Sequence, residues 1–91
     1  MNGDDKQVLD EAAMDAAFAA GALRVCPLHF DVILFNLGSD DREAYRIAFG
    51  RLKAGELDVY DRPDRREYLR EAVHTAITDG GALTCWRCAG L

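Results

Sequence analysis

Two short stretches decide the fold: Cys26-Pro27-Leu28-His29 in the first third of the chain and Cys85-Trp86-Arg87-Cys88 close to its end. They contain all three cysteines and one of the two histidines. Structural zinc is held by four thiolate or imidazole ligands in a tetrahedron, and a two-residue spacer lets one tight turn direct two ligands at one ion. The sequence therefore predicts one structural zinc site, with Cys26, His29, Cys85 and Cys88 as ligands.

The predicted ligands are far apart in the chain. The 55 residues between His29 and Cys85 mean that the site would join distant segments rather than form a short zinc finger. Four protein ligands leave no open position for water, which a catalytic zinc needs. Neither a His-Glu-x-x-His motif nor a glycine-rich phosphate-binding loop occurs in the sequence. We therefore expect a structural zinc and no enzyme activity.

Other roles for the same residues stay open at this level. Cys26 would also serve as a small buried apolar residue, and His29 as an ordinary core or surface histidine. Cys85 and Cys88 have the spacing of a redox dithiol, but that chemistry normally places the first cysteine at a helix N-terminus. Only three residues follow Cys88, too few for a helix. A disulfide framework would leave one of three cysteines unpaired.

The length of 91 residues predicts a single zinc-stabilised domain, residues 1–91, with residues 1–4 disordered. A domain of this size buries a modest core, so a bound metal is a reasonable supplement to its stability. The N-terminus is acidic where a signal peptide would be basic. The apolar runs Ala16–Leu23 and Val32–Phe35 are shorter than the roughly 20 residues that span a bilayer. We expect a cytoplasmic protein that does not contact membranes.

The fold class predicted from hydrophobic periodicity is mainly α, with three helices and a minimal two-strand, zinc-ribbon-like element closed by one structural zinc. Asp40 and Glu43 have the spacing of a capping box at the start of the second helix. The predicted helices run from a cap at Asp4 or Asp5 to about Ala20, from about Asp41 to Ala54, and from a cap at Asp61 to about Asp79.

One strand is predicted within Phe30–Leu37, where Val32–Phe35 is rich in β-branched and aromatic residues. Gly38 and Ser39 would end it. Its expected partner is Ala82–Cys85, because that pairing would bring the two halves of the metal site together.

The net charge is −5, and it is unevenly spread. Residues 1–41 contain eight acids against two bases, a balance of −6. Such a surface does not favour general affinity for nucleic acid, which needs neutralised phosphates. The acids of the first helix would instead meet a basic groove on a protein partner, including a groove that normally holds nucleic acid. We assign this contact to Asp5, Glu11 and Asp15; the simpler explanation is a solvated helix face.

A second candidate surface is the arginine series Arg62, Arg66 and Arg70, which recurs every four residues on the third helix. It would suit a zinc-stabilised nucleic-acid-binding or transcriptional regulatory module. Ion pairs with interleaved acids explain the same spacing, and the acidic net charge makes direct nucleic-acid binding the alternative rather than the main hypothesis. Trp86 is a further candidate contact, either for a partner or for a second copy of the chain, unless it packs against the metal turn.

The Cys-Pro-x-His and terminal Cys-x-x-Cys half-sites resemble those of zinc-ribbon and zinc-knuckle proteins, which implies zinc and no activity. The layout of Asp-Arg-Glu-Ala-Tyr at 41–45, Lys-Ala-Gly-Glu-Leu-Asp at 53–58 and Tyr-Asp-Arg at 60–62 is similar to short uncharacterised zinc-binding proteins of plasmids and bacteriophages. This second resemblance implies an accessory protein of a mobile element or an inhibitor of host defence, of the anti-CRISPR type, that binds a nucleic-acid-handling protein.

Overall fold

The computed structural model describes residues 2–36 and 40–90. Three helices form a bundle, and a two-stranded hairpin with a short fourth helix forms the other end, where the four candidate metal ligands lie. The mainly α prediction is confirmed, but the described residues contain four helices rather than three. The elements are α1 (Gly3–Ala19), β1 (Leu23–Val25), β2 (Ile33–Phe35), α2 (Asp41–Lys53), α3 (Pro63–Asp79) and α4 (Trp86–Ala89).

The core of the bundle is built mainly from small side chains. Leu9, Leu69 and Val73 are the largest fully buried residues, and alanines of α1 and α2 fill most of the remaining space. Because alanine projects little from a helix, these helices must approach closely to bury apolar area. The buried residues of this core are Leu9, Ala12, Ala13, Ala16, Ala44, Ala48, Leu52, Leu69 and Val73.

Two polar contacts show how α1 lies against α3. Arg65 Nη2 donates to Asp5 Oδ2 at 2.8 Å, and the hydroxyl of Tyr68 donates to Asp10 at 3.1 Å. Residue numbers rise together along both helices, so α1 and α3 run parallel, and α2 packs against both. Within the described residues, no helix is both long and apolar enough to cross a membrane.

The start of α1 differs from the prediction. Asn2 caps the helix by accepting a hydrogen bond from the backbone N–H of Asp5 at 2.9 Å, so neither Asp4 nor Asp5 is the cap. Residues 2–4 belong to this cap and the first turn rather than to a disordered end. Asp4 and Asp5 lie in the first turn, where acids interact favourably with the helix dipole.

The N-cap of α2 is the predicted residue, but the N-cap of α3 is not. Asp40 caps α2 as predicted, accepting from the backbone N–H of Arg42 at 3.0 Å. Glu43, the other half of the predicted capping box, instead pairs with Arg46. Asp61 does not cap α3: its carboxylate pairs with Arg66, and Arg62 occupies the cap position without a side-chain hydrogen bond. Pro63 begins the helix, where its missing N–H is not needed.

The predicted strand partner, Ala82–Cys85, is only partly correct. β2 pairs with β1 in an antiparallel hairpin, with Leu23 opposite Phe35 and Val25 opposite Ile33. A hairpin with a short loop costs less chain entropy than pairing with a segment some 50 residues away. Ala82 joins the other edge of β2 by a single parallel bridge to Leu34. The predicted chain break at Gly38 and Ser39 lies outside the described residues.

Gly81 allows this bridge to form. A Cβ atom at position 81 would lie 2.9 Å from the carbonyl carbon of Leu34 and 2.9 Å from the nitrogen of Phe35. Both atoms belong to the backbone of β2 and cannot move aside as a flexible side chain would. The close approach of the chain to β2 therefore requires glycine at this position.

We expect Gly81→Ala to destabilise the protein by about 1–3 kcal/mol, as overpacking does in well-packed sites. The matched control is Gly50→Ala, because a Cβ atom at Gly50 meets nothing within 4 Å. This control should stabilise α2 by about 0.8–1.0 kcal/mol, the usual difference between glycine and alanine in a helix. Chemical denaturation of both variants measures the two effects; equal stability of Gly81→Ala and the original chain would contradict the packing described here.

Candidate metal centre

The first half-site lies in the loop that joins the two strands. Cys26 follows β1 directly, and its N–H donates to the carbonyl of Val32 at 3.0 Å. Inside this closed loop, the N–H of His29 donates to the carbonyl of Cys26 at 3.2 Å. This turn places the two side chains three residues apart in sequence and on the same side of the loop, with Cys26 Sγ 3.8 Å from His29 Nδ1.

The second half-site lies at the start of α4. Cys85 is the N-cap of this helix, and its sulfur accepts a hydrogen bond from the N–H of Cys88 at 3.4 Å. The expectation that too few residues follow Cys88 for a helix is therefore wrong, because the helical turn begins at Trp86, between the two cysteines. The cap contact holds both sulfurs on one side of the turn.

The two half-sites converge on one point. Cys85 Sγ and Cys88 Sγ lie 3.4 Å and 3.3 Å from His29 Nδ1, and Cys26 Sγ lies 3.6 Å from Cys88 Sγ. All four donor atoms lie within 4.8 Å of one another. With zinc–ligand distances of about 2.3 Å to sulfur and about 2.0 Å to nitrogen, a tetrahedron separates its ligands by roughly 3.5–3.8 Å. The four residues could therefore hold one metal ion.

The three cysteines are free thiols and form no disulfide among the described residues. The sulfur atoms of Cys26 and Cys88 lie 3.6 Å apart, whereas a disulfide bond is about 2.05 Å long. Cys26 and Cys85 are buried, and Cys88 is half-buried. Val32, Leu34 and Ala82 pack around them in a small cluster separate from the bundle core.

The environment of the thiols favours a negative charge on Cys26. The backbone N–H of Leu28 and hydrogen bonds from His29 and the other two thiols lower the pKa of Cys26 to about 6, against the opposing effect of burial. The pKa of Cys88 rises to about 11, because its S–H donates to the neighbouring sulfurs of Cys26 and Cys85. A thiolate therefore forms most readily at Cys26, and a metal ion would have to displace the proton of Cys88.

An ion pair beside the cluster was not found by sequence reasoning. Arg87 Nη1 donates to Asp31 Oδ1 at 2.5 Å, which joins α4 to the loop between the strands. Arg87 lies between the two cysteines of the second half-site, but nothing in the spacing of Asp31 indicated this pairing across 56 positions. Both side chains are substantially exposed, so the pair orients the two half-sites more than it stabilises them.

Large apolar side chains surround the end of the molecule where the candidate metal ligands lie. Leu28 and Phe30 extend from the loop, and Leu83 and Trp86 extend from the segment around Cys85. Trp86 is 66% exposed, so it does not pack into the metal turn. The structure therefore leaves Trp86 accessible, as a partner contact would require.

The acids assigned to partner binding have different environments. Asp5 is engaged in the ion pair with Arg65, and about 20% of its side chain is exposed. Glu11 and Asp15 are exposed on α1 and are found in no ion pair among the described residues. Asp10 is also exposed on this helix and is bound by the hydroxyl of Tyr68. The acidic face available to a partner consequently consists of Asp10, Glu11 and Asp15.

The arginine series is partly occupied by contacts within the chain. Arg66 binds Asp61 through two nitrogen atoms, which neutralises both charges locally. Arg62 lies over the ring of Tyr60 at 5.6 Å from its centre, and Arg70 lies over the ring of Phe49 at 5.7 Å. These cation–π contacts hold the two guanidinium groups against the protein surface.

No known protein family, curated protein or solved structure matches the chain. The metal-ligand prediction therefore depends on the local geometry, which brings together the four residues that the sequence indicated.

We expect the purified protein to bind one metal ion per chain, and Co²⁺ bound in its place to show the absorption bands of thiolate-to-metal charge transfer. Replacing Cys26, Cys85 or Cys88 by serine, or His29 by alanine, should weaken binding by more than the 10–100-fold that loss of an outer-shell partner costs. The control is His74→Gln, because His74 is exposed on α3 and is not one of the four clustered donor residues. Equal metal affinity of the Cys26→Ser variant and the control would exclude the four-ligand site.

Proposed function

We propose that Cys26, His29, Cys85 and Cys88 bind one Zn²⁺ ion as a structural site. Three thiolates and one imidazole form a donor set typical of closed zinc sites, and the spacing of the donor atoms suits a tetrahedron. The bound ion would supply coordination bonds between the hairpin and the C-terminal segment. With all four positions taken by protein, no water is available for activation, which is why we propose binding rather than catalysis as the function.

A metal ion has a clear physical task in this chain. A helix of four residues such as α4 is far too short to be stable by itself, since isolated helices need about 12–15 residues. The segment after α3 contacts the hairpin through the bridge at Ala82, a buried cluster of four residues and the exposed ion pair of Arg87. Coordination by Cys85 and Cys88 would add the strong attachment that these weak contacts lack.

We expect metal removal to loosen the C-terminal segment first. With excess chelator, hydrogen exchange should increase at residues 82–90 and in the hairpin, while the centres of α1 and α3 keep more of their protection because they share a separate core. The melting temperature should fall, and added Zn²⁺ should restore it whereas Mg²⁺, which prefers oxygen ligands, should not. If the protein is purified without metal and excess chelator leaves its melting curve unchanged, the ion does not have the proposed structural role.

The activity we propose is binding to another protein that presents a basic surface. The observation that carries this proposal is the exposed acidic face of α1, where Asp10, Glu11 and Asp15 project from one helix of a chain with net charge −5. Complementary charge steers such partners together and selects against acidic ones. Inhibition of a nucleic-acid-handling protein of host defence is the specific form that the resemblance to plasmid and phage proteins implies.

Nucleic-acid binding through the arginine series has less support. Arg66 is paired with Asp61, and the remaining two arginines lie against aromatic rings. Two exposed guanidinium groups on an acidic chain provide few of the phosphate contacts on which affinity for nucleic acid depends.

We expect the protein to bind purified nucleic-acid-handling proteins with basic grooves, more weakly as salt rises, because complementary charges drive the encounter. The double reversal Glu11→Lys with Asp15→Lys should slow association by about tenfold or more. Surface plasmon resonance at low and high salt measures this. The control is Glu56→Lys with Asp58→Lys, an equal charge change in the exposed loop after α2. Binding that does not depend on salt concentration would contradict partner binding through the acidic face. An equal loss of binding in both double variants would contradict it too.

A further inference from the structure

A groove runs along the bundle between α1 and α3. Its volume is about 490 Å³, and none of its lining residues comes from α2. On α3 it extends from Tyr68 to Gly80, which at 1.5 Å per residue is a length of about 18 Å, or three helical turns. The surface between α1 and α3 thus has room for one further helix packed alongside the three-helix bundle.

The floor of this groove is apolar, and two of its residues have the small side chain of alanine. It is formed by Met14 from α1 and by Ala72, Ala76 and the ring of Tyr68 from α3. The two alanines let another backbone approach α3 closely, and the methionine side chain adapts its shape to different apolar neighbours. These are properties of a surface that packs against a helix by side chains every three or four residues.

The edges of the groove carry only negative charge. Asp10 lies on the α1 side, and Glu71 and Asp79 lie on the α3 side. No lysine, arginine or histidine is among the lining residues. Next to the groove, Glu11 and Asp15 border a shallower depression that shares Asp10 and Met14, so the acidic surface continues across α1.

We propose that this groove is the docking site for a basic amphipathic helix of the protein partner. The apolar floor would take the apolar stripe of that helix, and the acidic edges would pair with lysines or arginines on its flanks. Duplex nucleic acid and a second copy of this acidic chain do not meet these requirements, because both would bring negative charge to the acidic edges. The inference rests on the proposed protein-binding function and names its surface and the chemistry of its partner.

The probe for this site is a fluorescently labelled synthetic peptide of about four helical turns, with leucine every three or four residues and lysine on both flanks. The comparison peptide has glutamate in place of each lysine. Fluorescence anisotropy against the zinc-loaded protein should show binding of the lysine peptide, at least tenfold tighter than that of the glutamate peptide. No binding of the lysine peptide would overturn the proposal.

Variants of the protein test whether the lysine peptide binds in this groove. Glu71→Lys with Asp79→Lys should weaken binding about tenfold or more, and the control pair Glu56→Lys with Asp58→Lys, which changes the charge equally outside the groove, should weaken it at most threefold. Ala72→Phe should fill the floor and block the peptide at unchanged net charge. Ala72 is half-buried, so circular dichroism and melting curves check folding, and Ala72→Gln replaces this variant if it fails to fold. Equal losses in both charge pairs, or full binding by the filled groove, would refute the site.

The same variants separate this inference from the proposed function. If basic nucleic-acid-handling proteins bind the Ala72→Phe variant and the original chain with equal affinity, the groove is not their docking site. The proposal that they bind the acidic face of α1 is then unaffected. If the lysine peptide binds in the groove but no basic protein binds the chain, the docking surface stands and the proposed function fails. Sedimentation of the chain alone tests a second copy as occupant; self-association that the Ala72→Phe variant abolishes would overturn the proposal.

Discussion

The convergence of four donor atoms from segments 55 residues apart is the constraint on which the end with the candidate metal ligands depends. Closing a loop of that length costs about 3.5 kcal/mol of chain entropy by the logarithmic rule. The contacts that join the two segments at this end are few: the ion pair of Arg87 and Asp31 is exposed, and the buried cluster holds four residues. Zinc coordination, at about 10–16 kcal/mol in small peptides, is large enough to hold the segments together. The bundle has no such need, because its own core covers all three long helices.

The sequence predicted the structure correctly where residue type and spacing determine it locally. The clustering of Cys26, His29, Cys85 and Cys88 followed from two half-sites with two-residue spacers, and α2 followed from its periodicity and its cap at Asp40. It failed where several residues compete for one role, as Asn2, Asp4 and Asp5 do for the first cap, or where an element is too short to show a period, as β1 and α4 are. Pairs such as Asp5 with Arg65 join positions 60 apart, and no local pattern predicts which charges will meet.

The distribution of charge follows from which residues pair within the chain. Arg46, Arg65, Arg66 and Arg87 are each bound to carboxylates, so a large share of the positive charge is neutralised on the surface. The acids of α1 beyond Asp5 are left without such partners among the described residues, and α1 contains only one base, Lys6. Internal pairing therefore makes the surface between α1 and α3 more acidic than the arginine-rich sequence of α3 suggests. A cationic partner is the physical complement of that surface.

The groove and the metal centre are connected through the end of α3. Asp79 and Gly80 border the groove, and the next residue, Gly81, packs directly on the backbone of β2. Ala82 then donates to the carbonyl of Ile33 at 3.0 Å, three positions before the segment enters the candidate metal site at Cys85. The position of the last turn of α3 is thus fixed from both sides, by the bundle and by the hairpin. A metal ion that holds the C-terminal segment in place would also hold one edge of the groove, so loss of the ion should disturb the acidic edge at Asp79 before it disturbs the apolar floor deeper in the bundle.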